Sequence, residues 1–170
     1  RMGSSSGLYE NCSKLVRTPE WVVLTGSDDA RQEICRSVYR KSPGRASWCL
    51  RRLLSDSSPA VRITALGALS YCPDLHPRFL DRVREMAGSP HPRVRGRALE
   101  FLFQHAGAPT ESWRRQSHGA LQDATFRRTH PRLLSFFLSD AARRADQQVV
   151  DWVLHLLETD VLHAPDALQP

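Results

Sequence analysis

Leu53-Leu54-Ser55-Asp56-Ser57-Ser58-Pro59-Ala60-Val61-Arg62-Ile63-Thr64-Ala65-Leu66-Gly67-Ala68-Leu69 returns further along the chain as Met86-Ala87-Gly88-Ser89-Pro90-His91-Pro92-Arg93-Val94-Arg95-Gly96-Arg97-Ala98-Leu99-Glu100-Phe101-Leu102. Pro59/Pro92, Val61/Val94, Arg62/Arg95, Ala65/Ala98, Leu66/Leu99 and Leu69/Leu102 all coincide at the single offset that separates Leu53 from Met86. An echo of this length marks units that cannot bury their apolar sides alone and must stack on their neighbours. Ala30-Arg31 followed by Ile34, Cys35 and Val38 fits the same template one repeat upstream, and Ala145 with Val149, Val150 and Val153 fits it loosely downstream. A second element recurs, His76-Pro77-Arg78-Phe79-Leu80 against His130-Pro131-Arg132-Leu133-Leu134.

Each unit reads as two helices. Val61, Ala65, Leu66, Ala68 and Leu69 form the stripe of a helix buried on one side. Pro19, Pro59, Pro77, Pro92 and Pro131 each follow Thr, Ser or His, where a missing N–H and a fixed φ suit a first helical turn. Gly26, Gly88 and Gly107 stand where helices would end. These signals predict helices near 19–25, 28–41, 45–55, 59–71, 76–87, 92–106, 111–121, 130–139 and 143–157. No segment alternates as a strand would, so the expected class is all-α.

The pattern from Asp56 through Val61-Arg62 to Ala65-Leu66, with its weaker echo from Ser89 to Leu99, resembles the HEAT repeat. The resemblance implies a HEAT-like α-solenoid of about four antiparallel helix pairs, first helices on the convex side and second helices lining a concave groove. It implies a structural ladder in which Arg62 and Arg95 tie repeats together with the acid six positions earlier, Asp56. Ser89 departs from that acid, and residues 108–129 insert a more polar stretch readable as a degenerate repeat or a lid. The expected domain is 13–158, with flexible ends at 1–12 and 159–170.

The chain has 170 residues, 41% hydrophobic and 25% charged, enough for a real core without metal or disulfides. No apolar run approaches a membrane span, so no membrane partner is expected. Cys12, Cys35, Cys49 and Cys72 form no CxxC pair, which predicts reduced thiols, neither disulfide frame nor zinc site, and an intracellular protein of nucleus or cytoplasm. The start at Arg1 and the lack of a polar capping repeat fit a piece or subunit of something larger. Residues 1–132 carry 22 basic and 12 acidic side chains, whereas 133–170 carry 2 and 6. That asymmetry suggests an acidic partner for the first three quarters, or head-to-tail contacts between copies.

Nucleotide-binding, nucleophile-elbow and HExxH signatures are absent, so no catalytic residue, metal ligand or cofactor is assigned. Asp140, Asp146, Asp151 and Glu158 read as a solubilising face. The candidate binding face lies opposite the core stripe of each second helix. It comprises Arg93, Arg97, Glu100 and Gln104 in the third repeat, Asp29, Glu33, Arg36 and Arg40 in the first, Ala60, Thr64, Gly67 and Tyr71 in the second, and Arg144, Gln148, Asp151 and His155 in the last. Phe101, Phe103, Phe136, Phe137, Leu138, Val149, Val150, Trp152 and Val153 exceed one helical stripe and are expected to be buried between neighbours, with a protein-docking face as the other reading. These features point to a non-enzymatic module binding another protein or a peptide. The alternative is a basic module on nucleic-acid backbone, for which Arg51-Arg52, Arg78, Arg82, Arg114-Arg115 and Arg127-Arg128 supply charge and Trp48 and Trp113 supply rings.

Overall fold

The computed structural model describes residues 19–40 and 42–162. Among them are ten α-helices and no strand: α1 (Pro19–Thr25), α2 (Asp28–Ser37), α3 (Pro43–Leu53), α4 (Pro59–Ser70), α5 (His76–Ala87), α6 (Pro92–His105), α7 (Glu111–Leu121), α8 (Ala124–Thr129), α9 (Pro131–Arg143) and α10 (Gln147–Leu162). Short 3₁₀ turns cover Val38–Arg40 and Pro73–Leu75. Proline opens α3, α4, α6 and α9, at the place where a helix has no use for the N–H that proline lacks. The described residues form two compact units, divided inside α5 between Arg82 and Val83.

In the first unit α1 packs on α2 and α3, α2 on α4, and α3 on α4. First helices therefore neighbour each other and second helices do the same, which is the side-by-side stacking of an α-solenoid. Cys35, Leu50, Leu53, Val61, Ala65 and Leu69 fill the space between them, each fully buried. Burial pushes the Cys35 thiol up to about 12, reinforced by the Asp56 carboxylate and by Cys49, so it stays protonated at neutral pH. Burial and Asp74 raise the half-buried Cys72 as well. Cys35, Cys49 and Cys72 form no disulfide, and Cys12 lies outside the described residues. The first turns of α5 are tied to this unit by His76, whose Nε2 lies 2.9 Å from the Leu69 carbonyl, and by Arg78, which donates to Ser47 Oγ at 2.9 Å.

In the second unit α6 packs along α9, α7 packs on α8 and α9, and α9 forms a hairpin with α10. The aromatic excess is largely absorbed here. Phe101 and Phe137 are buried, Phe103 meets Phe137 edge-on at 6.4 Å, and Trp152 meets the same ring edge-on at 6.1 Å. On α10, among the described residues, Leu154 and Leu157 stand out as exposed large hydrophobics.

Three expectations need correcting. Of the two readings of residues 108–129, the lid is not what forms: α7 spans the expected 111–121 and α8 follows it, both packed into the second unit; α8 is too short to show a period and is announced only by Asp123, whose carboxylate accepts from Thr125 N and Phe126 N. Second, α9 runs on to Arg143 and α10 starts at Gln147. The stop between them is a Schellman turn made without glycine: Ala145 takes the left-handed conformation at φ 54°, Asp146 N bonds to Ala141 O and Ala145 N to Ala142 O. Third, residues 159–162 are the last turn of α10, while 1–12 and 163–170 lie outside the described residues.

Two helix-interior glycines differ in what surrounds them. A Cβ on Gly67 would meet nothing within 4 Å, whereas a Cβ on Gly96 would land on the ring of His130, itself buried and held by Glu100. Gly67→Ala should therefore stabilise the chain by about 0.5–1 kcal/mol through helix propensity. Gly96→Ala should destabilise it by about 1–3 kcal/mol, since α9 must move away from α6. Urea melts of the two variants check both signs.

Candidate functional site

In the first unit the ion pairing runs between repeats. Arg31, in the second helix of the first repeat, places Nε 2.8 Å from Asp56 Oδ2 and donates from Nη2 to Asp56 Oδ1 at 3.2 Å. Asp56 Oδ1 also accepts from Ser58 N at 2.9 Å, so one carboxylate caps the entry to α4 and ties it to α2. Arg31 completes its fork on Asp28 at 2.6 Å and on the Gly26 carbonyl. Thr64 Oγ1 reaches Gln32 Oε1 at 3.2 Å, a second polar link between the same helices.

The expected partnership of Arg62 with Asp56 is corrected accordingly. Asp56 is taken by the arginine of the preceding repeat, and Arg62 Nε is buried without a hydrogen-bond partner. The position equivalent to Asp56 in the next repeat holds Ser89, which has no carboxylate to offer. Arg95 likewise has no acidic partner among the described residues; its guanidinium lies 5.4 Å from the centre of the Phe126 ring.

In the second unit Glu100 is not part of an open face. It is 6% exposed, because the start of α9 covers it, and its Oε1 sits 3.2 Å from His130 Nδ1 while its Oε2 accepts from Arg97 at 2.6 Å. Burial pushes the Glu100 carboxyl up, but the hydrogen bonds and charges of His130 and Arg97 outweigh it and leave it below its ordinary value. The sequence did not reveal this link; the only signal was the His130-Pro131 pair at a helix start. Asp140 is also corrected. It is 3% exposed on α9, not on a solubilising face, and binds Arg114 Nε at 2.8 Å and Arg144 Nε at 3.2 Å. Burial raises its carboxyl, the two arginines lower it by more, and the net direction is down.

The remaining predicted residues scatter. Arg36 is exposed and pairs with Glu33 at 2.8 Å, and Arg40 is exposed in the 3₁₀ turn. Arg93 and Gln104 are exposed on α6. Arg144 caps the end of α9 with its side chain on Asp140 and Asp146, and Gln148 is exposed in the first turn of α10. Because α9, not α10, packs along α6, these last two do not share a second-helix face with Arg93.

Residues 20–102 match the family model of HEAT repeats. This stretch of the chain belongs to the HEAT-repeat family. No curated protein and no solved structure matches the chain. HEAT repeats commonly mediate protein interaction or scaffolding. Among the described residues no group of His, Cys, Asp and Glu could hold a metal ion, and no helix is long and apolar enough to cross a membrane.

Asp56 and Glu100 give separate tests. Asp56→Ala removes the tie between α2 and α4 together with the cap on Ser58 and should cost about 2–3 kcal/mol. Arg62→Ala should cost less, and equal losses in denaturant melts would contradict the assignment of Arg31 as the partner. Because Glu100 titrates below its ordinary value in the folded chain, its contribution is complete above the unfolded-state value of 4.5 and is lost as pH falls through the folded one. The stability gap between the parent and Glu100→Gln should therefore be widest at neutral pH and shrink on acidification, which urea melts across that range measure.

Proposed function

We propose that the chain is a non-enzymatic binding or scaffold module that docks another protein, or a peptide segment of one, along the exposed sides of its second helices. The observation carrying this reading is the pairing of α2 with α4. Facing solvent there are Glu33 and Arg36 on α2 and Ala60 and Tyr71 on or next to α4. Tyr71 is 74% exposed, and open space beside Gly67 lets a partner backbone come close. A rigid aromatic at the edge of a small-residue surface is the composition that protein interfaces favour. Arg36 and Arg40 are contact candidates in the first unit and Arg93, Arg97 and Gln104 separate ones on α6, whereas Arg144 and Gln148 lie off the second-helix sides and Glu100 is engaged inside the fold. Buried Cys35 and Cys49, which form no disulfide, fit a reducing compartment, nucleus or cytoplasm.

Binding of nucleic-acid backbone is the second reading. It rests on exposed Arg51 and Arg52 at the end of α3, with Arg52 6.0 Å from the centre of the Trp48 ring, in a chain of net charge +6. Capture from a lysate at low and high salt, with and without nuclease, separates the two. A protein dock should survive both treatments and be lost in Arg36→Glu/Tyr71→Ala with the melting curve unchanged. Phosphate contacts should weaken with a log–log salt slope of about −0.9 for each phosphate engaged on duplex DNA. Capture that the double variant leaves intact would remove the α2/α4 face from consideration.

A further inference from the structure

The second unit contains an open cavity of about 340 Å³ lined by Ala87, Gly88, Arg95, Arg115, Gln116, Gly119 and Ala120. Its walls come from the end of α5 and the turn after it, from α6 and from α7. The charged groups in this lining are two arginines, and neither has a carboxylate partner among the described residues. That sets them apart from their neighbours: Arg97 is engaged by Glu100, and Arg114 by Asp140 and Glu111. An oxyanion in the recess would meet guanidinium N–H groups that no carboxylate of the described residues takes up, and would bind them through charge-assisted bonds.

Size and shape narrow the ligand. Apart from Gln116, the rest of the lining is alanine and glycine, and a Cβ on Gly119 would meet nothing within 4 Å. Such a recess admits one anionic group and the short stem carrying it, with room for the attached backbone. It does not offer the extended, aromatic-lined track that a repeating phosphate backbone needs. We propose that this cavity is the anion-binding site of the module and takes one oxyanionic side chain of a partner protein, a carboxylate or a phosphorylated hydroxyl, between Arg95 and Arg115. This rests on the protein-binding reading above and names the chemistry it selects.

The test titrates the chain, labelled for NMR, with inorganic phosphate and with blocked peptides carrying phosphoserine, glutamate or serine at the centre. The phosphoserine or the glutamate peptide should shift the Arg95 and Arg115 Nε–H signals saturably, and whichever binds tighter identifies the source of the anion; the serine peptide should not bind. Arg115→Ala, at an exposed site, should weaken binding by about tenfold or more. Gly119→Leu should plug the recess and abolish binding with the melting curve unchanged. Binding of inorganic phosphate without either anionic peptide, binding that both variants leave unchanged, or tighter saturation of the same arginines by oligo-dT would each overturn the proposal. Lysate capture through the α2/α4 face that persists in Gly119→Leu, while the peptides fail to bind, would discard the cavity and leave the module's protein-binding role standing.

Discussion

A pair of helices of this length carries more apolar surface than the two can hide from water by themselves. That shortage drives the architecture of both units. Val61 and Leu69 of α4 are fully buried because α2 and α3 lie against them, and Leu99 and Leu102 of α6 are fully buried among the helices of the second unit. Each such side chain contributes about 1.5–3 kcal/mol when buried, so a helix pair removed from its neighbour would forfeit its core, not a detail of it. Small residues at the contact permit the closeness: Ala65 in one echo and Ala98 in the other are fully buried.

Within that apolar frame the charged residues divide into those that serve the packing and those that do not. Arg31 and Asp56 satisfy each other across two repeats, and Arg97, Glu100 and His130 do so across α6 and α9. Buried charge is tolerated there because both sides of each pair are present. Where the acid is replaced, as at Ser89, the repeated arginine persists without its reason. Arg62 is the consequence, its Nε buried without a partner while Asp56 is held by Arg31; Arg95 lies beside the Phe126 ring and lines the recess.

The echo of 53–69 in 86–102 and the prolines that open α4, α6 and α9 were enough to locate most helices, because periodicity and first-turn chemistry are local properties. What escaped was also physically local but unmarked. The short helix α8 cannot display a helical period, and Ala145 ends α9 in a conformation normally left to glycine. Glu100 looked like a surface acid since its helix places it opposite Leu99 and Leu102. Its burial depends on His130, remote in sequence, whose helix comes to rest beside α6.

An amino-acid chain of this kind declares its class, its repeat length and the stripe each helix will bury, all of which follow from spacing along one strand of covalent bonds. Which arginine meets which carboxylate is another matter. Arg31 reaches Asp56 and leaves Arg62 without it, Asp140 sits inside rather than outside, and Arg95 and Arg115 come to share one recess. Those outcomes were decided only when helices distant in sequence were pressed together, since charge pairing acts over a few ångströms of space and is blind to distance along the chain.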